Sequence, residues 1–283
     1  MLIPAWGKIH PSRLTAIQIQ RFAAERLRTV SPKTVSTEIG LIKEMFRYAH
    51  EFGYVKADPA KYVKRPTMSQ HEIEILNPEE TAKFMENTPG RFRLAFLTCV
   101  LTGMRAGELW ALRWSDIDFN LLQIHVRQSL WRGEFQPPKS RSSFRSIDIP
   151  EQLAHELKKW KLLSPPNGFD LVFPNTEGKP MAHDNVVRRV FEPALKKAGL
   201  RKVCFHSLRH TNASMRIAAG QNIKYVQKQL GHSSIKITLD TYGHLFNDLN
   251  FSRQQVRLLQ TSLDSVKSSQ EERLLPAAGA SSP

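Results

Sequence analysis

The stretch FHSLRHTNAS, residues 205–214, sets His206, Arg209 and His210 three and four positions apart. In a helix such positions share one stripe, with Leu208 pointing elsewhere. Three cationic or potentially cationic groups on one turn suit a solvated basic face, a pocket for an anion, or a pair of metal-ligating imidazoles. Three other stretches carry residues of the same chemical kind: Arg105 with Glu108 in TGMRAGEL, Lys139 in PPKSRSSFRSIDIP, and His232 followed by Tyr242 in LGHSS and TLDTYGHL. The zinc alternative is weak. HSLRH has i, i+4 histidines with Cys204 nearby, but it carries arginine where a zinc-protease helix needs the glutamate of H-E-x-x-H.

The elements that must hold these residues are mostly helical. SPKTVSTEIGLIKEMFRYAHEFG opens with Ser31 as an N-cap and Pro32 at the first helical position. Val35, Ile39, Ile42, Phe46 and Ala49 mark its apolar stripe, and Gly53 closes it. LTAIQIQRFAAERLR precedes it as a second amphipathic segment. KADPAKYVKRPTMSQHEIEIL, with two prolines and mixed charge, reads as a linker. The organisation expected is a helical unit over 1–66, a linker over 67–76, a larger unit over 77–263, and a disordered, small and polar tail over 264–283. In the larger unit Asn77 caps and Pro78 starts a helix with Glu79 and Glu80 at its positive end. RFRLAFLTCVLTGMR predicts a buried helix. LLQIHVRQSL, WRGEF and SFRSIDIP predict one small antiparallel sheet, and the pattern is helical again after Pro150. The fold class is therefore mainly α with a small antiparallel β-sheet, in two domains.

The chain of 283 residues carries a formal charge of +15 and a pI near 10.0. That excess points to a polyanion, nucleic acid or an acidic membrane surface. It is densest at the front, with 12 Lys/Arg against 5 Asp/Glu in residues 1–70 and 27 against 18 in residues 71–263. No run of about 18 apolar residues exists to span a bilayer, and MLIPAWGKIH is not a signal peptide. A cytoplasmic protein is expected, with Cys99 and Cys204 as reduced core residues.

Together, the four stretches resemble the tyrosine recombinases, or phage-type integrases, in the family's order and at its usual separations, from about residue 10 to residue 250. The resemblance implies a helical core-binding domain followed by a mixed α+β catalytic domain. By position it implies Arg105, Lys139, His206, Arg209, His232 and Tyr242 as the catalytic set, with Tyr242 the nucleophile and Glu108 a supporting residue that orients a histidine or arginine. Arg141 and Arg145 lie beside Lys139 on the same stretch; phosphate contact or solvated charge are the ordinary readings of those two. His210 and His244 read as packing or positioning residues. Double-stranded DNA is the implied partner, with a homotetramer on paired recombination sites and accessory proteins for directionality or DNA bending. No cofactor and no metal are implied. The family's first helix ordinarily precedes a segment like IPAWGKIHPSRL, so the front bundle is expected to be shortened here.

The chemistry follows from the residue types. Phenol, with a pKa of about 10, needs cationic neighbours or a base to attack a phosphodiester. Two arginines can grip the non-bridging oxygens by forked, charge-assisted bonds. His206 and His232 add hydrogen bonds or move protons, and Lys139 can protonate the leaving 5′ oxygen. This is electrostatic stabilisation of the transition state. Its product is a 3′-phosphotyrosyl link of similar energy to the bond broken, so ATP is not required. A binding-only protein that has lost catalysis is disfavoured by all six positions being filled. Relaxation of DNA by a type IB topoisomerase is disfavoured by the small size and two-domain layout.

Overall fold

The computed structural model describes residues 5–67, 73–138 and 141–243, with 253, 256, 257, 260 and 261 beyond them. Lys139, His244, much of the expected linker and the whole expected tail over 264–283 lie outside the described residues. The chain divides into two units, Met1–Glu72 and Ile73–Pro283.

The first unit is built on two helices, α1 (Ala16–Arg26) and α2 (Pro32–Glu51). Thr15 and Gln18 form a reciprocal capping box on α1, and Ser31 caps α2 ahead of Pro32, which satisfies amide groups that have no partner inside a helix. Val35, Ile39, Ile42 and Phe46 are buried with Ile19, Ala23, Val55 and Val63, and Ala49 packs at the edge. Arg26 clamps Glu38 with two bonds, Nε to Oε2 at 3.0 Å and Nη2 to Oε1 at 2.8 Å, tying α1 to α2.

In the second unit, α3 (Pro78–Glu86) starts from an Asn77–Glu80 capping box. The apolar α4 (Gly90–Thr102) is buried along most of its surface, as its composition predicts. A cluster of Phe84, Phe96, Phe191 and Phe205, with ring centroids 5.2–5.7 Å apart, forms the centre of the core around it. Gly103 ends α4 in the left-handed region at φ +67°, where a side chain is strained. The short α5 (Ala106–Trp110) follows at once.

Among the described residues the strands form two sheets where one was expected. β1 (Ile117–Asp118), β2 (Gln123–Val126) and β5 (Arg145–Asp148) make an antiparallel sheet in the order β1-β2-β5. β3 (Ser129–Trp131) and β4 (Glu134–Gln136) make a separate hairpin. After β2 the side-chain amide of Gln128 donates to the Ala111 carbonyl at 2.7 Å, and β3 packs on α5 instead of extending the sheet. Arg132 and Gly133 both have positive φ at the hairpin tip, as a two-residue turn matched to strand twist requires.

Helices α6 (Glu151–Leu163), α7 (His183–Val186) and α8 (Glu192–Lys197) follow, the last two joined by a π-helical turn over Val187–Phe191. The chain then forms α9 (Ser207–Ala218), α10 (Ile223–Leu230) and α11 (Ile235–Tyr242). Cys99 is buried, but Cys204 is exposed. The expectation of two core cysteines fails at Cys204 because its neighbours Val203 and Phe205 both turn inward, which sends the residue between them out.

Candidate active site

Arg209 is deeply enclosed, 2% exposed on the first turn of α9. Its guanidinium spans two helix ends: Nη1 donates to the Gly103 carbonyl and Nη2 to the Leu230 carbonyl, each at 2.7 Å. Both acceptors are carbonyls that helix termini leave unsatisfied. Gly103 and Gly231, each at φ +67°, let the two chain ends turn away there. Burial pulls the pKa of Arg209 down, with Arg105 adding to the effect, to about 9, so the group stays charged at neutral pH. This burial removes the solvated-face reading of the HSLRH turn.

Arg105 caps α5 and is 38% exposed at its side chain. Its Nη1 donates to Glu108 Oε1 and its backbone N–H to Glu108 Oε2, both at 2.8 Å. Arg145 reaches the same carboxylate from β5, Nη2 to Oε2 at 2.9 Å and Nη1 to Oε1 at 3.1 Å, and its Nε donates to the Gln229 carbonyl at 2.7 Å. Burial alone would raise the pKa of Glu108. The charge and bonds of Arg145, then Arg105, override it and hold the carboxyl at about 2. Neither ordinary reading of Arg145 fits: it is neither solvated nor placed to meet phosphate, because β5 turns it inward on the same face as Ile147. It ties α5, β5 and the end of α10 together.

His232 follows the Gly231 turn, with Nδ1 2.9 Å from Thr238 Oγ1. Thr238 is fully buried. Orienting the ring through Nδ1 directs Nε2 to any ligand. Burial, then Arg209, Arg105 and Arg145, push its pKa down to about 3. His206 stands at the start of α9 on the rim of an open depression of 680 Å³ shared with His183, Lys202 and Cys204. The protein packed behind its ring, then His210, Arg209 and Arg105, lower its pKa to about 4. Both imidazoles are therefore neutral at pH 7.

Tyr242 ends α11, 2% exposed, in a small core of Ala213, Ile217, Val226 and Leu230. Burial raises its phenol to about 12, against the opposing pull of Arg209. Its hydroxyl lies 2.7 Å from His210 Nδ1, and the rings of His206 and His210 meet edge to face at 4.8 Å. His210, read from the sequence as a packing residue, is thus the polar partner of the candidate nucleophile. Its i+4 spacing from His206 was the available signal; the contact to a residue 32 positions away was not. Arg105, Glu108, His206, Arg209, His232 and Tyr242 therefore fall in one region, and Lys139 lies outside the described residues. Among the described residues, no group of three or more His, Cys, Asp or Glu converges as a metal site would. No described helix is long and apolar enough to cross a membrane.

The model of the phage integrase family matches residues 68–248. Among curated relatives, the ICEBs1 integrase of Bacillus subtilis (strain 168) is 29% identical over 250 residues, spanning 83% of this chain and 68% of that protein. The prophage integrase IntR of Escherichia coli (strain K12) is 27% identical over 259 residues, spanning 83% and 62%. Among solved structures, a Tn1549 transposon integrase in complex with a circular intermediate DNA superposes with a TM-score of 0.76 at 21% identity, covering 88% of this chain and 86% of that one. A lambda integrase dimer bound to a COC′ core site gives 0.69 at 20% identity, covering 85% and 83%.

Proposed function

This chain belongs to the phage integrase family and is a tyrosine-type site-specific recombinase, and we propose that it cuts and rejoins double-stranded DNA through Tyr242. The observation that carries the assignment is the delivery of the Tyr242 hydroxyl to the face of α9 that bears His206 and His210, beside the buried charge of Arg209. A buried fork that is charged at neutral pH suits an anion in front of it. A scissile phosphate supplies one. Arg209 and the half-exposed Arg105 hold its non-bridging oxygens, and Glu108 aligns Arg105 for this without taking part in proton transfer. His206 and His232, both neutral, donate hydrogen bonds to the same oxygens.

Tyr242 attacks phosphorus, the P–O5′ bond breaks, and the 5′ oxygen takes a proton from Lys139. The 3′-phosphotyrosyl link is then opened by the 5′-hydroxyl of another strand. The relatives include the ICEBs1 integrase and a prophage integrase, which supports integration or excision of a mobile element as the biological event. Four copies on two paired sites would carry out the exchange, with DNA-bending or directionality proteins assisting. The basic excess over residues 1–70 supports a share of the DNA contact for the first unit.

The test is a nicked suicide substrate carrying the element's own attachment site. The wild-type protein should form a covalent band that survives denaturation, and Tyr242→Phe should form none while binding the same DNA within about twofold. A covalent band from Tyr242→Phe would remove Tyr242 from the role.

A further inference from the structure

Tyr242 needs a base, and one is in contact with it. His210 Nδ1 and Tyr242 Oη are 2.7 Å apart, within the range for proton transfer. The Tyr242 ring, at the end of α11, packs on Ala213 and Ile217 of α9 and Val226 and Leu230 of α10, with its hydroxyl directed at His210. The titratable groups around His210 are His206 and Arg209 of its own helix and Tyr242 of the facing one. Burial, then Arg209, keep the imidazole below its ordinary pKa, so it is unprotonated at neutral pH and free to accept.

Building on Tyr242 as the nucleophile, we propose that His210 is the general base that removes its proton. In the balanced step the phenolic proton moves from Oη to Nδ1 of His210, which carries its own hydrogen on Nε2. The freed oxygen pair forms the bond to phosphorus, the P–O5′ bond breaks, and the leaving oxygen is protonated by the acid assigned above. Rejoining returns the proton from His210 to Tyr242. A phenol raised to about 12 beside a weakly basic imidazole makes transfer uphill in the DNA-free protein. Transfer must therefore accompany phosphorus attack, once an arginine-bound phosphate is in line. The protein alone keeps its nucleophile protonated.

The experiment measures the rate of covalent adduct formation on the suicide substrate across pH 5–9 for wild type, His210→Gln and His210→Asn. Either amide can keep a hydrogen bond to the hydroxyl but cannot hold its proton. Far-ultraviolet circular dichroism and DNA binding identify which variant is folded. The folded variant should bind as wild type does and form adduct about 100-fold more slowly or worse. It should also lose the fall in rate that wild type shows as acid protonates His210. A folded variant that forms adduct at the wild-type rate or faster would overturn the proposal, leaving His210 as a tether for the resting tyrosine. Adduct from Tyr242→Phe would instead strike the nucleophile assignment, so the two failures are distinguishable.

Discussion

Arg145 grips both carboxylate oxygens of Glu108, at 2.9 and 3.1 Å, with only 2% and 4% of the two side chains exposed. A buried pair of this kind costs its desolvation. It is justified by what it orders: Arg105 on the same carboxylate and the Gln229 carbonyl just ahead of the His232 turn.

Removing Glu108 strands one fully buried guanidinium and loosens a second. Glu108→Ala is expected to destabilise the second unit by about 3–5 kcal/mol, read as a drop in denaturant midpoint.

The same carboxylate makes stability depend on pH. Its folded pKa of about 2 lies below the unfolded glutamate value of about 4.3. Its contribution is whole above that unfolded value and is lost as pH falls towards 2. Wild type should lose more stability than Glu108→Gln between pH 5 and 2. The neutral histidines of the site add acid sensitivity to both proteins, so the difference isolates Glu108. Parallel curves would mean that the carboxylate is not held ionised.

Arg209→Lys should reduce adduct formation by at least about 100-fold while leaving DNA affinity close to wild type. An ammonium cannot bridge the carbonyls of Gly103 and Leu230 and still fork onto a phosphate. Near-normal cleavage would show that charge alone suffices there.

Gly103→Ala should be costly. Its new Cβ would lie 2.7 Å from both Asn212 Oδ1 and Leu230 Cδ2, at a φ of +67° that side chains resist. A loss of about 1–3 kcal/mol is expected from the backbone alone, with the clash in addition, measured by equilibrium unfolding.

Lys139→Ala should slow cleavage of ordinary DNA and recover when the 5′-bridging oxygen is replaced by sulfur, because a thiolate leaves without a proton. Recovery in Arg141→Ala, and none in Lys139→Ala, would move the acid to residue 141.

Local patterns revealed much of this in advance. Ser31 and Pro32, or Asn77 and Glu80, act within one turn, so their caps were legible. The HSLRH turn and the positions of Arg105 and Tyr242 were legible from spacing and family order. Arg145 was not, because its partner is 37 positions away and an arginine near a hairpin ordinarily reads as surface charge. The separation of the strands into two sheets was not legible either, since Gln128 bonds the Ala111 carbonyl 17 positions away and β3 packs on α5. His210 showed its spacing but hid its partner, since the hydroxyl that it meets arrives on another helix.

The grip of Arg209 on two helix ends bears on how this unit opens. Its guanidinium cannot leave the site while the Gly103 and Leu230 carbonyls keep their places, and neither carbonyl can shift without parting α4 or α10 from α9. These helices should therefore form a single cooperative block in native-state hydrogen exchange. Amides of α9 around Arg209, the last turn of α4 and the last turn of α10 should exchange with one common opening free energy. The hairpin of β3 and β4, which among the described residues shares no strand pairing with the three-stranded sheet, should open separately from this block.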